Sequence, residues 1–351
     1  MKTPKEEGYY MPAEWAEHEG TWLSYPHNED SWPGKIETIF PSYHLFIKTL
    51  AESEEVHINV ENLAMRQMVE EALSNIGTAM ERVKFHQFAT NDAWCRDHGP
   101  AFLLNRNGNG RAMVNWKYNA WGGKYESALD DLIPGKIHSL YEGIKLFDAP
   151  IVMEGGSIDV NGEGDLLTTT SCLLNENRNP ELKQEEIEGY LRDYYGVDNI
   201  IWLGDGIAGD DTDGHVDDLS RFVDRDVIVT AVEEDRWDEN YAPLQENLKK
   251  LNSCRLANGK QPTVVELPMP DTVVYEEQRL PASYANFYIA NGKVIFPTYK
   301  CLNDTRAAYV LEECFPDREV IGIDSTDIVW GLGSFHCLSQ QMPKENNKKI
   351  K

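Results

Sequence analysis

Short apolar runs bounded by glycine, proline or charged residues recur along the whole chain, with helical patterns between them. Strand-like runs lie at 20–26, 56–60, 83–88, 112–116, 151–153, 158–160, 166–169, 200–203 and 227–232. Further ones follow at 264–267, 287–289, 294–296, 320–323 and 328–330. Helical spacing marks 41–50, 65–75, 184–195, 241–251 and 304–315, and Asn179-Pro180 reads as the cap and first-turn proline ahead of 184–195. Strands this short, grouped with one helix per repeat, predict an α/β protein of repeated modules and exclude a single long doubly wound sheet. Polar clusters follow the same beat, about 50 to 70 residues apart: Trp94–Asp97, Glu154–Gly156, His215–Asp217, Ser283–Asn286 and His336-Cys337. A ring of modules aiming loops at one centre gives such a spacing. The acidic segment 233–240 and the Lys-rich tail after Pro343 read as linker or disorder, and no internal boundary is visible. One catalytic domain, residues 1–351, is expected, with a core from about 10 to 343 and a disordered tail at 344–351.

The densest of these clusters is Gly204–Asp218, which follows the apolar run Asn199-Ile-Ile-Trp-Leu203. Its glycines rule out a helix, leaving a loop with six aspartates and His215. On an extended segment His215 and Asp217 share one side, and a base beside a carboxylate suits proton transfer on a cationic substrate. A calcium loop or a solvated acidic turn are the plainer readings, although the spacing of a calcium-binding helix–loop–helix is not matched.

The net charge of -26, from 33 Lys+Arg against 59 Asp+Glu, repels nucleic-acid phosphates and favours cationic ligands. No apolar run follows the N-terminal Met-Lys-Thr-Pro-Lys-Glu-Glu, so no signal peptide is expected, and no stretch is long enough for a membrane span. Six scattered cysteines without a Cys-x-x-Cys pair fit a reducing cytoplasm.

Among those cysteines Cys337 stands apart, because it ends Gly331-Leu-Gly-Ser-Phe-His-Cys337 after an expected strand at 328–330. The glycines let the backbone approach a ligand, and a nearby cation would favour the thiolate. His336 is adjacent and would face the other way on a strand, which leaves His215 as the better base. Trp94-Cys-Arg-Asp97 offers Asp97 to a cationic group and Trp94 as a pocket wall, or else only a local Arg96–Asp97 pair. Glu154-Gly-Gly places an acid at a strand end and reads equally as a bulge. Asp97, Glu154, Asp217 and one of Asp211 or Asp213, with His215 and Cys337, form a set suited to a guanidinium, whose N–H donors carboxylates accept in pairs.

Taken together, Asn91–Pro100, Tyr118–Gly123, Glu154–Ser157, Leu174–Pro180, Gly209–Asp217, Ala282–Gly292 and Gly333–Cys337 resemble the agmatine deiminases, close to the bacterial peptidylarginine deiminases. The likeness runs from about Gly20 to Pro343. It implies a five-bladed α/β propeller of ββαβ modules, the pentein fold, with the site on the central axis. It implies Cys337 as nucleophile, His215 as general acid and then base, Asp97 and Asp217 on the guanidinium nitrogens, and Glu154 beside the histidine. Trp94 and Asp211 would contact substrate. The reaction would pass through a thiouronium to N-carbamoylputrescine and ammonia, with water as co-substrate and no metal or organic cofactor, and would feed putrescine formation. Two stretches depart from the family's pattern: Gly331-Leu-Gly-Ser-Phe ahead of His336, and the segment after Gly123, where Asp130-Asp131 is the nearest match to an acidic run.

Two other readings stay open at this level. A deiminase of free or peptide-bound arginine would need a cation, such as Arg96 or Arg178, for the substrate carboxylate. A non-catalytic polyamine or calcium binder would leave Cys337 idle. No nucleic-acid or membrane partner is expected, and a homodimer is the base-rate expectation for an enzyme of this size.

Overall fold

The computed structural model describes residues 2–108 and 110–345. Five sheets share one construction: an antiparallel pair, then a crossover to a third strand parallel to the second. Strands Ile158–Val160, Asp165–Thr169 and Asn199–Leu203 form one such unit; Ser220–Asp224, Val227–Val232 and Thr263–Pro268 form the next. Tyr288–Ala290, Lys293–Thr298 and Glu319–Asp324 form another. Ala101–Asn105, Arg111–Lys117 and Lys145–Val152 repeat the pattern, with Tyr9–Tyr10 added at the edge. Parallel neighbours cannot be joined by a tight turn, so each crossover carries a helix. Helix Gln184–Tyr195 serves the unit that starts at Ile158, Tyr241–Ser253 the next, and Asn303–Cys314 the one after.

The remaining unit is built from both ends of the chain. Strand Ser339–Pro343 lies antiparallel to His18–Ser24, with Gln340 opposite Trp22, and His18–Ser24 continues in parallel to Glu55–Asn59 and Val83–His86. Helices Ile36–Ala51 and Leu63–Asn75 make its two crossovers.

Helix Gln184–Tyr195 shows why these elements form. Ile187, Leu191 and Tyr195, four residues apart, make one buried stripe that packs with Leu166 and Val197. Burying each such side chain contributes roughly 1.5–3 kcal/mol. Glu186 accepts the Lys183 backbone N–H at 2.9 Å to close the first turn, and Gly196, at φ 67°, ends the helix in the left-handed region. Asn179 is not its cap: that side chain bonds both backbone groups of Val152 and pins the strand before Glu154.

Other expectations also change. Residues 328–330 form part of a 3-10 turn, Ile328–Gly331, because Trp32 Nε1–H bonds the Ile328 carbonyl where a strand neighbour would lie. The segment 233–240 is tied down by ion pairs of Arg306 with Glu234 and of Arg279 with Asp238 and Glu239. Lys344 pairs with Glu17, and the rest of the expected tail, 346–351, lies outside the described residues.

Candidate active site

The segment leading into the first strand of each unit delivers polar side chains to one place. Asp97 sits in the short helix Cys95–His98 before strand Ala101–Asn105, and Glu154 precedes Ile158–Val160. His215 and Asp217 precede Ser220–Asp224, Asn286 precedes Tyr288–Ala290, and Cys337 precedes Ser339–Pro343. All six are at least nine-tenths buried. Residues up to 240 positions apart in sequence thus become neighbours through one repeated geometry.

Cys337 Sγ lies 2.9 Å from Asn286 Nδ2 and 3.5 Å from Asp217 Oδ2. Asp97 accepts the Gly156 N–H at 2.9 Å on one oxygen and the Trp121 indole N–H at 3.0 Å on the other. His215 stands between two acids, with Nδ1 3.8 Å from Asp97 Oδ1 and Nε2 3.9 Å from Glu154 Oε2. Gly156 faces this group so closely that a Cβ there would lie 2.6 Å from His215 Nδ1, 2.9 Å from Asp97 and 3.0 Å from Asp217.

Both ring nitrogens of His215, Oε2 of Glu154 and Oδ1 of Asp217 are buried without a hydrogen-bond partner among the described residues. Each such atom costs about 1–3 kcal/mol, and a planar cation rich in N–H donors is the ligand that satisfies acceptors placed this way.

The electrostatics point the same way. Burial, with Asp217, Asp218 and Asp97 around it, holds the Cys337 thiol well above its ordinary pKa. Burial and the charges of Asp217 and Glu154 likewise push Asp97 well up. Burial drives His215 down to about 3 in spite of Asp217, so its imidazole is neutral. Burial works against ionised Asp217 too, but the His336 hydrogen bond together with the charges of His336, His215 and Arg221 outweighs it and holds that carboxyl below its usual range. A cation placed among these groups favours thiolate and carboxylates together.

A second layer of charge fixes the first. Glu154 receives Arg178 Nε at 2.7 Å, and Arg178 continues to Asp213 at 2.6 Å. His336 bridges Asp217 at 2.6 Å and Glu14 at 2.9 Å. Glu14 meets Arg96 and Arg221, each at 3.1 Å, and Arg221 reaches Asp159 at 2.7 Å. Arg221, His336 and Arg96 hold Glu14 ionised against its burial.

The site opens into a cavity of about 240 Å³. Asp97 and Cys337 reach its buried end, Trp94 and Trp121 line it, and Trp94 packs on Trp32 with centroids 5.3 Å apart. Asp211 lies at the outer end, apart from the inner acids, where it accepts the Tyr125 hydroxyl at 2.6 Å and pairs with Lys124 at 3.3 Å. Among the described residues that line the cavity there is no lysine or arginine.

Several local expectations change here. His215 caps a 3-10 turn, Val216–Asp218, in place of an extended segment. Cys337 lies in a turn, so strand alternation with His336 does not apply; His336 buttresses Asp217 from behind. Arg96 bonds Glu14 and Gln341 and makes no local pair with Asp97. The loop is not a solvated acidic turn: Asp210 accepts the backbone N–H groups of Thr212, Gly214 and His215. Glu14 escaped the sequence reading, as did the parts that Trp121, Arg178 and Asn286 play here. Trp121, Arg178 and Asn286 lay in motifs that pointed there; Glu14 did not.

The pattern of the Porphyromonas-type peptidyl-arginine deiminase family matches residues 10–343. An agmatine deiminase from Ectopseudomonas mendocina is 36% identical, with 97% of each chain covered. The solved agmatine deiminase of Enterococcus faecalis shares 32% identity, covers 98% of both chains and superposes with a TM-score of 0.91. A C. jejuni agmatine deiminase solved with substrate bound gives 36%, 96% of both chains and a TM-score of 0.86. DDAH from Pseudomonas aeruginosa, at 13% identity and a TM-score of 0.54, shares the pentein fold alone. Matched from residue 10 to residue 343, the chain belongs to the Porphyromonas-type peptidyl-arginine deiminase family.

Proposed function

We propose that the chain is an agmatine deiminase, a hydrolase that converts agmatine and water to N-carbamoylputrescine and ammonia. One observation carries the choice of substrate: the cavity is lined by acids and aromatics and by no lysine or arginine among the described residues. Free arginine would bring a carboxylate that calls for a cation there, and the lining offers only neutral donors such as Ser31, Thr212 and Gln278. Arg96 and Arg178, the two candidates, are buried and committed to Glu14 and to Glu154 with Asp213.

The roles follow from charge. Asp97 and Asp217 hold the guanidinium nitrogens, and the incoming cation lowers the cost of ionising Cys337. The thiol proton passes to His215, whose imidazole is neutral beforehand. The sulfur then attacks the guanidinium carbon, a C–S bond forms, and the imidazolium gives its proton to the leaving ammonia. Water next loses a proton to His215 and attacks the same carbon. The new hydroxyl then gives up its proton to solvent as the C=O forms, and the C–S bond breaks with its electron pair returning to sulfur. His215 returns its proton to the thiolate. Glu154 steadies both charge states of His215, Trp94 forms a wall, and Asp211 faces the distal ammonium from the outer end.

In this reading the five like units form the blades of a pseudo-fivefold propeller around the site, and residues 1–351 act as one catalytic domain with a core from about 10 to 343. A homodimer and a cytoplasmic location complete it. The six free cysteines support a reducing compartment, and no described helix is long and apolar enough to cross a membrane.

The test is ammonia and ureido-product release from agmatine, arginine and an N-blocked arginine peptide, run side by side. Fast turnover of agmatine alone, abolished in Cys337→Ala, His215→Ala and Asp97→Ala, is expected. Turnover confined to the arginine compounds would replace the substrate, and tight agmatine binding without ammonia release would make the chain a binder.

A further inference from the structure

One buried thiol beside the inner acids has no part in the reaction. Cys172 belongs to the short helix Thr170–Leu173 and is fully buried. Its sulfur, a carboxylate oxygen of Glu154 and a ring nitrogen of His215 all lie within 4.8 Å of one another. Glu154 Oε2 and both nitrogens of His215 are buried without a hydrogen-bond partner among the described residues. The 3.9 Å from Glu154 Oε2 to His215 Nε2 is too long for a hydrogen bond. Three donor atoms of three kinds therefore stand around one gap, close together without bonding one another.

Each donor is held from behind. Arg178 Nε–H donates to Glu154 Oε1 at 2.7 Å, which leaves Oε2 for another partner. The Thr169 hydroxyl accepts the Cys172 N–H at 3.3 Å and donates to the Gly214 carbonyl, next to His215, at 2.6 Å. One threonine thus ties the turn that carries the thiol to the loop that carries the imidazole. The His215 N–H bonds Asp210 at 3.2 Å and Thr212 at 3.1 Å. Burial, with Glu154, Asp210 and Asp213 against the one cation Arg178, holds the Cys172 thiol well above its ordinary pKa. Acids in excess around a thiol disfavour a bare thiolate and favour a dication that binds sulfur and oxygen together. Metal bonds of about 2.0–2.3 Å put tetrahedral ligand atoms about 3.3–3.6 Å apart, so these pairs need to close by about 1–1.5 Å at most. Thiol, imidazole and carboxylate are the mixture that zinc takes, whereas magnesium and calcium take oxygen alone.

We propose that Glu154, Cys172 and His215 form a binding site for a divalent cation of zinc's kind, and that filling it switches the chain off. The loss of activity rests on the deiminase reading; the site itself does not. Binding replaces the Cys172 S–H bond by a metal–sulfur bond and releases that proton to solvent. The thiolate and the Glu154 carboxylate together balance the two charges of the metal, and a fourth position is left to water. Arg178 opposes the metal, but it sits on the far oxygen of Glu154 and is itself neutralised by Asp213 at 2.6 Å. A neutral imidazole has one acceptor nitrogen. With that lone pair on the metal, His215 cannot take the proton of Cys337, and the nucleophile stays a thiol.

The probe is Co2+, whose thiolate charge-transfer band in the near ultraviolet reports a sulfur ligand, added to the full chain after treatment with a chelator. One equivalent should give the band in wild type and in Cys337→Ser, with release of about one proton, and should give neither in Cys172→Ala. The zinc concentration that halves agmatine turnover should rise at least about 100-fold from wild type to Cys172→Ala, since changes behind a metal ligand already cost about 10- to 100-fold. Chelator should restore the wild-type rate. Cys172→Ser, closer in size, replaces alanine if that variant does not fold. A wild-type chain that gives no band, or a band that survives loss of the Cys172 thiol, overturns the proposal. A band lost only in Cys337→Ser would place the metal on Asp217, Asp218 and Cys337 instead. If agmatine is not turned over by the wild-type chain but the band follows Cys172, the metal site stands and the substrate assignment fails.

Discussion

Gly156→Ala tests whether the three polar groups meet at one point. The glycine does not occupy the left-handed region, so alanine fits its backbone and the only change is one methyl group. That methyl would lie 2.6 Å from His215 Nδ1 and 2.9–3.0 Å from Asp97 and Asp217. Ordinary contact begins near 3.4 Å, so the imidazole must retreat by roughly 0.8 Å, with smaller shifts for both acids. Overpacking of this kind costs about 1–3 kcal/mol, and a misplacement near 1 Å at reacting groups costs about 100-fold in rate. Steady-state ammonia release from agmatine should therefore show kcat down by about 100-fold, while thermal unfolding moves down by only a few degrees. Gly189→Ala supplies the control: it lies in helix Gln184–Tyr195 with nothing within 4 Å of the new methyl, and should raise Tm slightly with unchanged turnover. A Gly156→Ala protein that turns over within twofold of wild type would refute the placement of His215, Asp97 and Asp217 around that residue.

Three further outcomes follow from the same geometry. Trp121→Phe removes the indole N–H from Asp97 and should raise KM for agmatine by about tenfold or more through a carboxylate set loose; an unchanged KM would show that this bond does no positioning. Arg178→Met strips Glu154 of its buried partner and should cost about 3–5 kcal/mol in urea unfolding, a loss below 1 kcal/mol being the contrary result. His98, fully buried and pushed down to about 3 by burial, is neutral in the fold, whereas the unfolded chain takes up its proton near 6.5. Acid therefore favours unfolding: its contribution is present above 6.5 and lost as pH falls toward 3, at about 1.4 kcal/mol per pH unit. His98→Gln should flatten that acid limb; an identical slope would count against it.

How much of this was legible in the sequence depended on where each residue found its partners. Helix Gln184–Tyr195 and strands such as Val227–Val232 were readable because their burial repeats at local spacing. Strands Ser220–Asp224 and Ser339–Pro343 were not, since their polar side chains are buried in the charged interior. Arg221 bonds Asp159 and Gln341 meets Arg96, so neither strand shows apolar alternation. The inner site was legible as a set of residue types that suit one ligand. The layer behind it was not: Glu14 serves Arg96, Arg221 and His336 from 82 to 322 positions away, and no local pattern announces such a partner.

The pairing of Ser339–Pro343 with His18–Ser24 sets an order of events in synthesis. Strand His18–Ser24 is made ahead of its partner and keeps one edge unpaired until Ser339–Pro343 has followed it. Cys337 arrives just ahead of the strand that covers this edge, and its turn is held by Asn286 and by the Arg96 N–H bonded to the Cys337 carbonyl. A chain stopped before Cys337 thus lacks the proposed nucleophile and exposes a strand edge prone to aggregation. Cys337 and the strand that closes this sheet come in one short segment, so the thiol and the closed edge are made together.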